Sequence, residues 1–238
     1  MNWVLNNIKE NYKVVSIIKS NDNVKITRLR NEVFSKDIVM REFKGSGDTY
    51  RKLLSTKHIN LPEIYEVCTD GDNCTVLEEF IDGVTVADVL SCGLYTENGA
   101  ATVATEICNA LCELHKKDII HRDVKPENVM ITSNGRVVLI DFGAAREFKH
   151  FRTSDTFIMG TTGYAAPEQF GFSQTDKRAD IFSLGVMLNV MLTGYHPSKL
   201  LYEGKIGKII RRCIQIEPGR RFNSAAELKA CIEKFARK

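Results

Sequence analysis

The sequence predicts an α+β fold in two lobes, a small antiparallel β-sheet lobe with one short helix and then a mainly helical lobe. Two observations carry this. Up to about residue 79, short runs rich in β-branched and aromatic residues alternate with clusters of Asn, Asp, Gly and Ser. After Gly83 the texture changes to apolar residues recurring at helical spacing. The junction falls near Phe80–Gly83, so residues 1–82 form the first lobe with its connection and residues 83–238 the second.

In order, the strands are expected at Tyr12–Ile18, Val24–Leu29, Ile38–Phe43, Ile64–Cys68 and Cys74–Glu78. The turns Ser20-Asn-Asp-Asn23 and Asp70-Gly-Asp-Asn73 punctuate them, and a short helix over Gly47–Thr56 interrupts them. Helices follow at Thr85–Leu90, Glu97–Lys116, Lys177–Leu192, Lys205–Gln215 and Ala225–Ala236. Two small strands, Val129–Ile131 and Val137–Ile140, lie between the second and third of these helices.

Composition bounds the function. The chain has 238 residues, 43% hydrophobic and 26% charged, with a net charge of +3, as in an ordinary soluble globular protein. That charge gives no reason to expect nucleic acid or a membrane surface as partner. No run approaches the roughly 18 apolar residues of a membrane span, and the N-terminal stretch lacks the apolar core of a signal peptide. Seven scattered cysteines without paired metal-type spacing suggest reduced thiols and a cytoplasmic protein, and Cys108 and Cys112 suggest a buried helix face.

The chemistry concentrates in His121-Arg-Asp-Val-Lys-Pro-Glu-Asn128, followed by Asp141-Phe-Gly143. One short loop offers a carboxylate, a cation and an amide, and a second carboxylate stands at the end of an apolar strand. Phosphoryl transfer needs this inventory: a base for the attacking hydroxyl, a cation for developing charge, and hard oxygens for Mg²⁺. Further on comes Gly160-Thr-Thr-Gly-Tyr-Ala-Ala-Pro-Glu168, then Ala179-Asp-Ile-Phe-Ser-Leu-Gly185 and Glu217-Pro-Gly-Arg-Arg221.

These segments resemble the eukaryotic-type serine/threonine protein kinase family in its bacterial style, over nearly the whole chain and most specifically from about residue 110. The resemblance implies a bilobal protein-kinase-like fold that uses ATP with Mg²⁺ or Mn²⁺ and acts on protein Ser/Thr hydroxyls. It makes Asp123 the catalytic base, Lys125 a contact to the transferring phosphate, and Asn128 and Asp141 the metal ligands. Thr161 would bond the catalytic Asp and Lys, Glu168 would form a buried ion pair with Arg221, and Asp180 would brace the catalytic-loop backbone. Thr153, Ser154 and Thr156 lie in the activation segment, where a phosphate could pair with Arg122. Around ATP the resemblance implies Val24, Val39 and Met130 against the base, the backbone of Glu79 and Ile81 on its edge, and Arg41 near the phosphates.

The nucleotide half departs from the family pattern. The loop Ile17–Val24 contains no glycine, although Asn and Asp tolerate left-handed backbone better than other residues. Arg41 stands where the family has lysine, and the usual helix glutamate falls on Thr49, beside Asp48. Leu53, four residues after Thr49, suits an internal apolar position. Arg41 then has three possible settings: paired with Glu78 on the neighbouring strand (the preferred reading), paired with Asp48, or turned to phosphate or solvent. A one-residue register shift would instead turn Glu78 outward and Leu77 inward. Lys25 is expected to face away. An active kinase is the favoured reading, and a nucleotide-binding or scaffolding pseudokinase the alternative. A small-molecule kinase of the aminoglycoside type is disfavoured by Thr161–Glu168.

Overall fold

A computed structural model describes residues 10–147, 161, 163–170 and 175–236. It divides into two compact units, residues 1–58 with 62–82, and residues 59–61 with 83–238. Thr153, Ser154 and Thr156 lie outside the described residues.

The first unit is a five-stranded antiparallel sheet of β1 (Tyr12–Ser20), β2 (Val24–Asn31), β3 (Lys36–Lys44), β4 (Ile64–Asp70) and β5 (Asn73–Glu79), in the order β1-β2-β3-β5-β4. Each predicted strand is present, with ends within about two residues, as expected where terminal pairing frays. The β1–β2 turn closes without glycine and without left-handed backbone at Asn21, Asp22 or Asn23. The Asn21 side chain substitutes for that conformation, because its Oδ1 accepts the N–H of Asn23 at 3.0 Å and of Val24 at 2.9 Å.

Strand alternation sorts the sheet into two faces. Leu29, Ile38 and Leu77 bury one, with Tyr12, Met40 and Tyr65 packed on them. Opposite register partners Ile26, Arg41 and Val76 lie on the other, with Val39 and Glu78 one step along. Helix α1 (Asp48–Leu53) buries Tyr50 and Leu53 and stops short of the predicted Thr56. It begins after Gly47, whose φ of 68° favours glycine and where a Cβ would stand 2.5 Å from the Cys74 sulfur.

In the second unit, β6 (Gly83–Thr85), β8 (Val129–Thr132) and β9 (Val137–Leu139) form one small sheet, and β7 (Ile119–Ile120) pairs with β10 (Arg146–Glu147). Helices α2 (Val86–Cys92), α3 (Glu97–Lys116), α4 (Arg178–Thr193), α5 (Gly207–Cys213) and α6 (Ala225–Ala236) supply the bulk. Thr85 and Asp88 close a reciprocal capping box on α2, and Thr96 caps α3 through the Gly99 N–H. Helix α4 is apolar nearly all round and buried accordingly.

Residues Ile59–Leu61 are stitched into this unit. The Asn60 carbonyl accepts the Leu139 N–H at 2.9 Å, and its amide donates to the Val137 carbonyl at 2.8 Å. Arg136 Nε donates to the Ile59 carbonyl at 2.6 Å. Cys108 is buried, Cys112 half-buried, and all seven cysteines are free thiols. Among the described residues no helix is long and apolar enough to cross a membrane.

Candidate active site

The loop between β7 and β8 is held in a shape its residues would not choose alone. Arg122 has φ 68°, a left-handed conformation costing on the order of 1–3 kcal/mol for a non-glycine residue, so the surroundings must impose it. They do so at the backbone. Asp180, fully buried on α4, accepts the N–H of His121 at 3.0 Å and of Arg122 at 2.7 Å, and meets His115 Nε2 at 2.8 Å. Burial pushes the Asp180 carboxyl up, but the His115 bond, the histidine charges and the Arg122 N–H outweigh it and hold the group below its ordinary value. His121 links this loop to the next by donating Nε2–H to the Ile140 carbonyl at 3.2 Å, while its Nδ1 accepts the Asp123 N–H at 3.3 Å. Its ring packs edge-on against Phe142, 5.7 Å between centroids.

The structure brings Asp123, Lys125, Asn128 and Thr161 together. Asp123 Oδ1 accepts the Thr161 hydroxyl at 2.7 Å and its N–H at 3.2 Å. Oδ2 lies 2.8 Å from Lys125 Nζ and accepts Asn128 Nδ2 at 2.8 Å. Lys125 Nζ also donates to the Thr161 hydroxyl oxygen at 2.5 Å. Burial raises the Asp123 carboxyl, yet the bonds from Lys125 and Thr161 and the Lys125 charge more than offset this, and the group sits below its usual range. It is ionised at neutral pH, with all four acceptor positions engaged.

Asn128 donates from one nitrogen to both the Asp123 carbonyl, at 2.9 Å, and its carboxylate. This fixes the amide so that Oδ1 is on the side away from Asp123. Asp141, two residues past β9, has φ 66°, and its Oδ1 accepts the Gly143 N–H at 3.1 Å. An amide oxygen and a carboxylate are hard donors that suit Mg²⁺, which takes one or two protein carboxylates and fills its octahedron with waters and phosphate oxygens. Among the described residues no three His, Cys, Asp or Glu side chains converge as a metal cage, and Mg²⁺ requires none.

The segment that carries Thr161 and Glu168 is tied down on two sides. Arg221, with no exposed side-chain surface, grips Glu168 bidentately at 2.6 and 2.8 Å and donates to the carbonyls of Gln215, Arg178 and Ile216. Two residues with a part in this were not foreseen from sequence. Gln169, 1% exposed, accepts the Ala166 N–H and donates to the Arg122 carbonyl, each at 3.0 Å, joining the Thr161–Glu168 segment to the loop of Asp123. His196 Nε2 donates to the Gly163 carbonyl at 2.8 Å. Gln169 adjoins the Pro-Glu motif, and that adjacency was the available signal. His196 had none.

In the first unit, Arg41 pairs with Glu78, its Nε and Nη2 lying 3.3 and 3.2 Å from Glu78 Oε1. Each residue is only 5% exposed. The Asp48 alternative is overturned: that side chain is 70% exposed and bonds the Ser46 hydroxyl at 2.7 Å and Arg51 at 3.2 Å. The register shift is also excluded, since Leu77 lies on the opposite face with Leu29 and Ile38. Lys25 faces away, near Glu42. Val24 is half-buried, Val39 and Ile81 are buried, and all three belong to this unit with Glu79, whose N–H donates to the Glu63 carbonyl at 2.8 Å. Met130, on β8, is half-buried in the second unit.

The sequence matches the family model for the protein kinase domain over residues 12–237. A probable serine/threonine-protein kinase of Clostridium perfringens is 32% identical over 181 residues, covering 75% of this chain and 26% of that protein. A serine/threonine-protein kinase of Arabidopsis thaliana is 41% identical over 143 residues, 60% of this chain and 30% of its own length. PknB, a serine/threonine-protein kinase of Mycobacterium tuberculosis, is 36% identical over 158 residues, 62% of this chain and 25% of that one. The aligned part thus spans only 25–30% of these relatives.

Proposed function

The chain belongs to the protein kinase family, and from that premise we propose that it transfers the γ-phosphoryl group of ATP to serine or threonine hydroxyls of proteins. The observation that carries the proposal is the Asp123 carboxylate, held ionised among Lys125, Asn128 and Thr161. A substrate hydroxyl approaching it takes over one of the acceptor positions now engaged, and Asp123 orients that hydroxyl and receives its proton. Lys125, 2.8 Å from Asp123, places its charge beside the attacked phosphoryl. Asn128 and Asp141 would hold Mg²⁺ or Mn²⁺, which supplies charge neutralisation on the phosphate oxygens. Thr161 aligns the segment from Thr161 to Glu168, which would dock the protein substrate, with the base, and the Glu168–Arg221 pair anchors that segment. A cytoplasmic setting, in which seven thiols stay reduced, belongs to the same reading.

One observation favours the alternative of a nucleotide-binding module without transfer. Asn21 already takes two N–H groups of the loop where the family presents glycine backbone to phosphate. The intact base, cation and metal ligands weigh more, because a module that had abandoned transfer has no chemical use for all of them.

The test is incubation with labelled ATP and Mg²⁺ or Mn²⁺, beside Asp123→Ala and Asp141→Asn, with modified residues mapped. The expected result is label on Thr153, Ser154 or Thr156, or on added protein substrates, that vanishes in Asp123→Ala while nucleotide binding persists. Asp141→Asn should weaken metal-dependent binding as well. Full transfer by Asp123→Ala would sink the assignment of the base.

A further inference from the structure

We infer that Arg28 is the positioning residue for the stretch that follows β5, and through it for selection of the adenine base. This rests on the kinase reading above, in which the backbone of Glu79 and Ile81 meets the edge of the base. Phe80 stands between those two residues, one step past the end of β5. The Arg28 guanidinium lies over its ring, 4.1 Å from the centroid.

Arg28 is placed by the sheet. It is opposite Val39 in the β2–β3 ladder, and Val39 is opposite Glu78 in the β3–β5 ladder. With side chains alternating along each strand, Arg28 shares the face of Val24 and Val39, the residues expected against the base. Asp37, two residues before Val39, is the diagonal neighbour of Arg28. Its Oδ2 accepts Arg28 Nε at 2.7 Å and also Nη2. Two donors on one carboxylate oxygen orient the guanidinium, and an oriented, weakly hydrated guanidinium is well suited to an aromatic face. The side chains of Asp37 and Arg28 are 12% and 31% exposed, so the contact is made partly out of water.

The neighbours of Phe80 are held in other ways. The Glu79 N–H donates to the Glu63 carbonyl at 2.8 Å, and the Glu79 carboxylate accepts the Glu63 N–H at 3.2 Å. Ile81 is 5% exposed, and after Asp82 the chain leaves the first unit. Phe80 is therefore the handle by which β2 reaches this stretch. Adenine offers an N6–H₂ donor where guanine offers the O6 acceptor. A backbone carbonyl and amide can exploit that difference only when their directions are fixed. A partly exposed ion pair adds little stability by itself; one that orients a cation over Phe80 has a use beyond stability.

The test uses the full chain with Mg²⁺. Displacement of a fluorescent ATP analogue by ATP, adenosine and GTP is measured in parallel with transfer from labelled ATP. Arg28→Met keeps the stem and removes the guanidinium. It should lose about three- to tenfold in affinity for ATP and adenosine alike, and less for GTP, so that selectivity for ATP over GTP narrows. Arg28→Lys should recover little of this. Phe80→Leu leaves the Arg28–Asp37 pair intact, should reproduce the loss, and decides the matter if Arg28→Met folds poorly. Combining the two should lose no more than either alone. Arg30→Met removes another cation near Asp37, at 3.6 Å, and should stay within about twofold of the parent.

A loss confined to ATP would put Arg28 on the phosphates, and an equal loss for all three ligands would make its part merely structural. Either result overturns the inference, as does parent affinity in Arg28→Met or Phe80→Leu, or a parent that does not distinguish ATP from GTP. If the parent binds nucleotide but transfers no label, the kinase reading fails while the three affinities still decide the role of Arg28. If it binds none of them, both fail.

Discussion

Replacing Asp180 by asparagine keeps the side-chain shape but turns one acceptor oxygen into an NH₂ donor. Asp180 Oδ2 serves the His121 N–H and His115 Nε2, and Oδ1 serves the Arg122 N–H. In the least harmful orientation the new NH₂ faces the Arg122 N–H, donor against donor, at a fully buried site. A hydrogen bond to a charged acceptor contributes about 1.5–3 kcal/mol, and the two remaining bonds weaken as the charge goes, so a loss of about 3–4 kcal/mol is expected. For a chain of this size that is a fall in Tm of roughly 6–16 °C. The pH dependence has a definite sign. The Asp180 carboxyl is held below its ordinary value, so its contribution is complete above the unfolded carboxyl pKa of about 3.9 and is lost as pH falls through the lower folded value. The gap between the two proteins should close below about pH 4. Thermal unfolding by near-ultraviolet circular dichroism above and below that pH measures it, and amide exchange at His121 and Arg122 localises it. A Tm within about 2 °C of the parent, or a gap that fails to narrow below about pH 4, would refute the reasoning.

Glu168→Ala leaves the fully buried Arg221 side chain without its carboxylate and should cost about 3–5 kcal/mol in urea unfolding; adding Arg221→Met should recover part of that loss, and a still larger loss in the double variant would count against the pairing argument. Asn189, buried in apolar α4, donates to the carbonyls of Tyr195 and Leu200 and accepts the Tyr202 N–H. Asn189→Leu strands those groups at about 1–3 kcal/mol for each one left unsatisfied, and limited proteolysis should then cut within residues 194–206 faster than in the parent.

The Glu168–Arg221 pair and the Asp180 brace were legible because the catalytic motifs carry them at fixed places along the chain, and each motif lies on an element with a clear period or cap. Gln169 and Asn189 were less so. A glutamine beside a motif and a lone asparagine in an apolar helix announce only that something polar needs satisfying, not which carbonyl or N–H will come to meet it. The β1–β2 turn was legible as a turn from its Asn and Asp residues, but not that the Asn21 side chain would meet the N–H groups directly.

Local sequence by itself determined the elements, since hydrophobic period, caps and turn residues act over a few residues. It also determined the chemical inventory, an aspartate, a lysine, an asparagine and a second aspartate in a fixed order. Tertiary structure decided the partners. Arg41 had two acids within plausible reach, and only the sheet register, 37 residues apart in the chain, put Glu78 beside it and left Asp48 in solvent. Ion pairs between distant segments depend on how strands align and which face each side chain takes. That is set by the packing of the whole unit, and no stretch of sequence contains it.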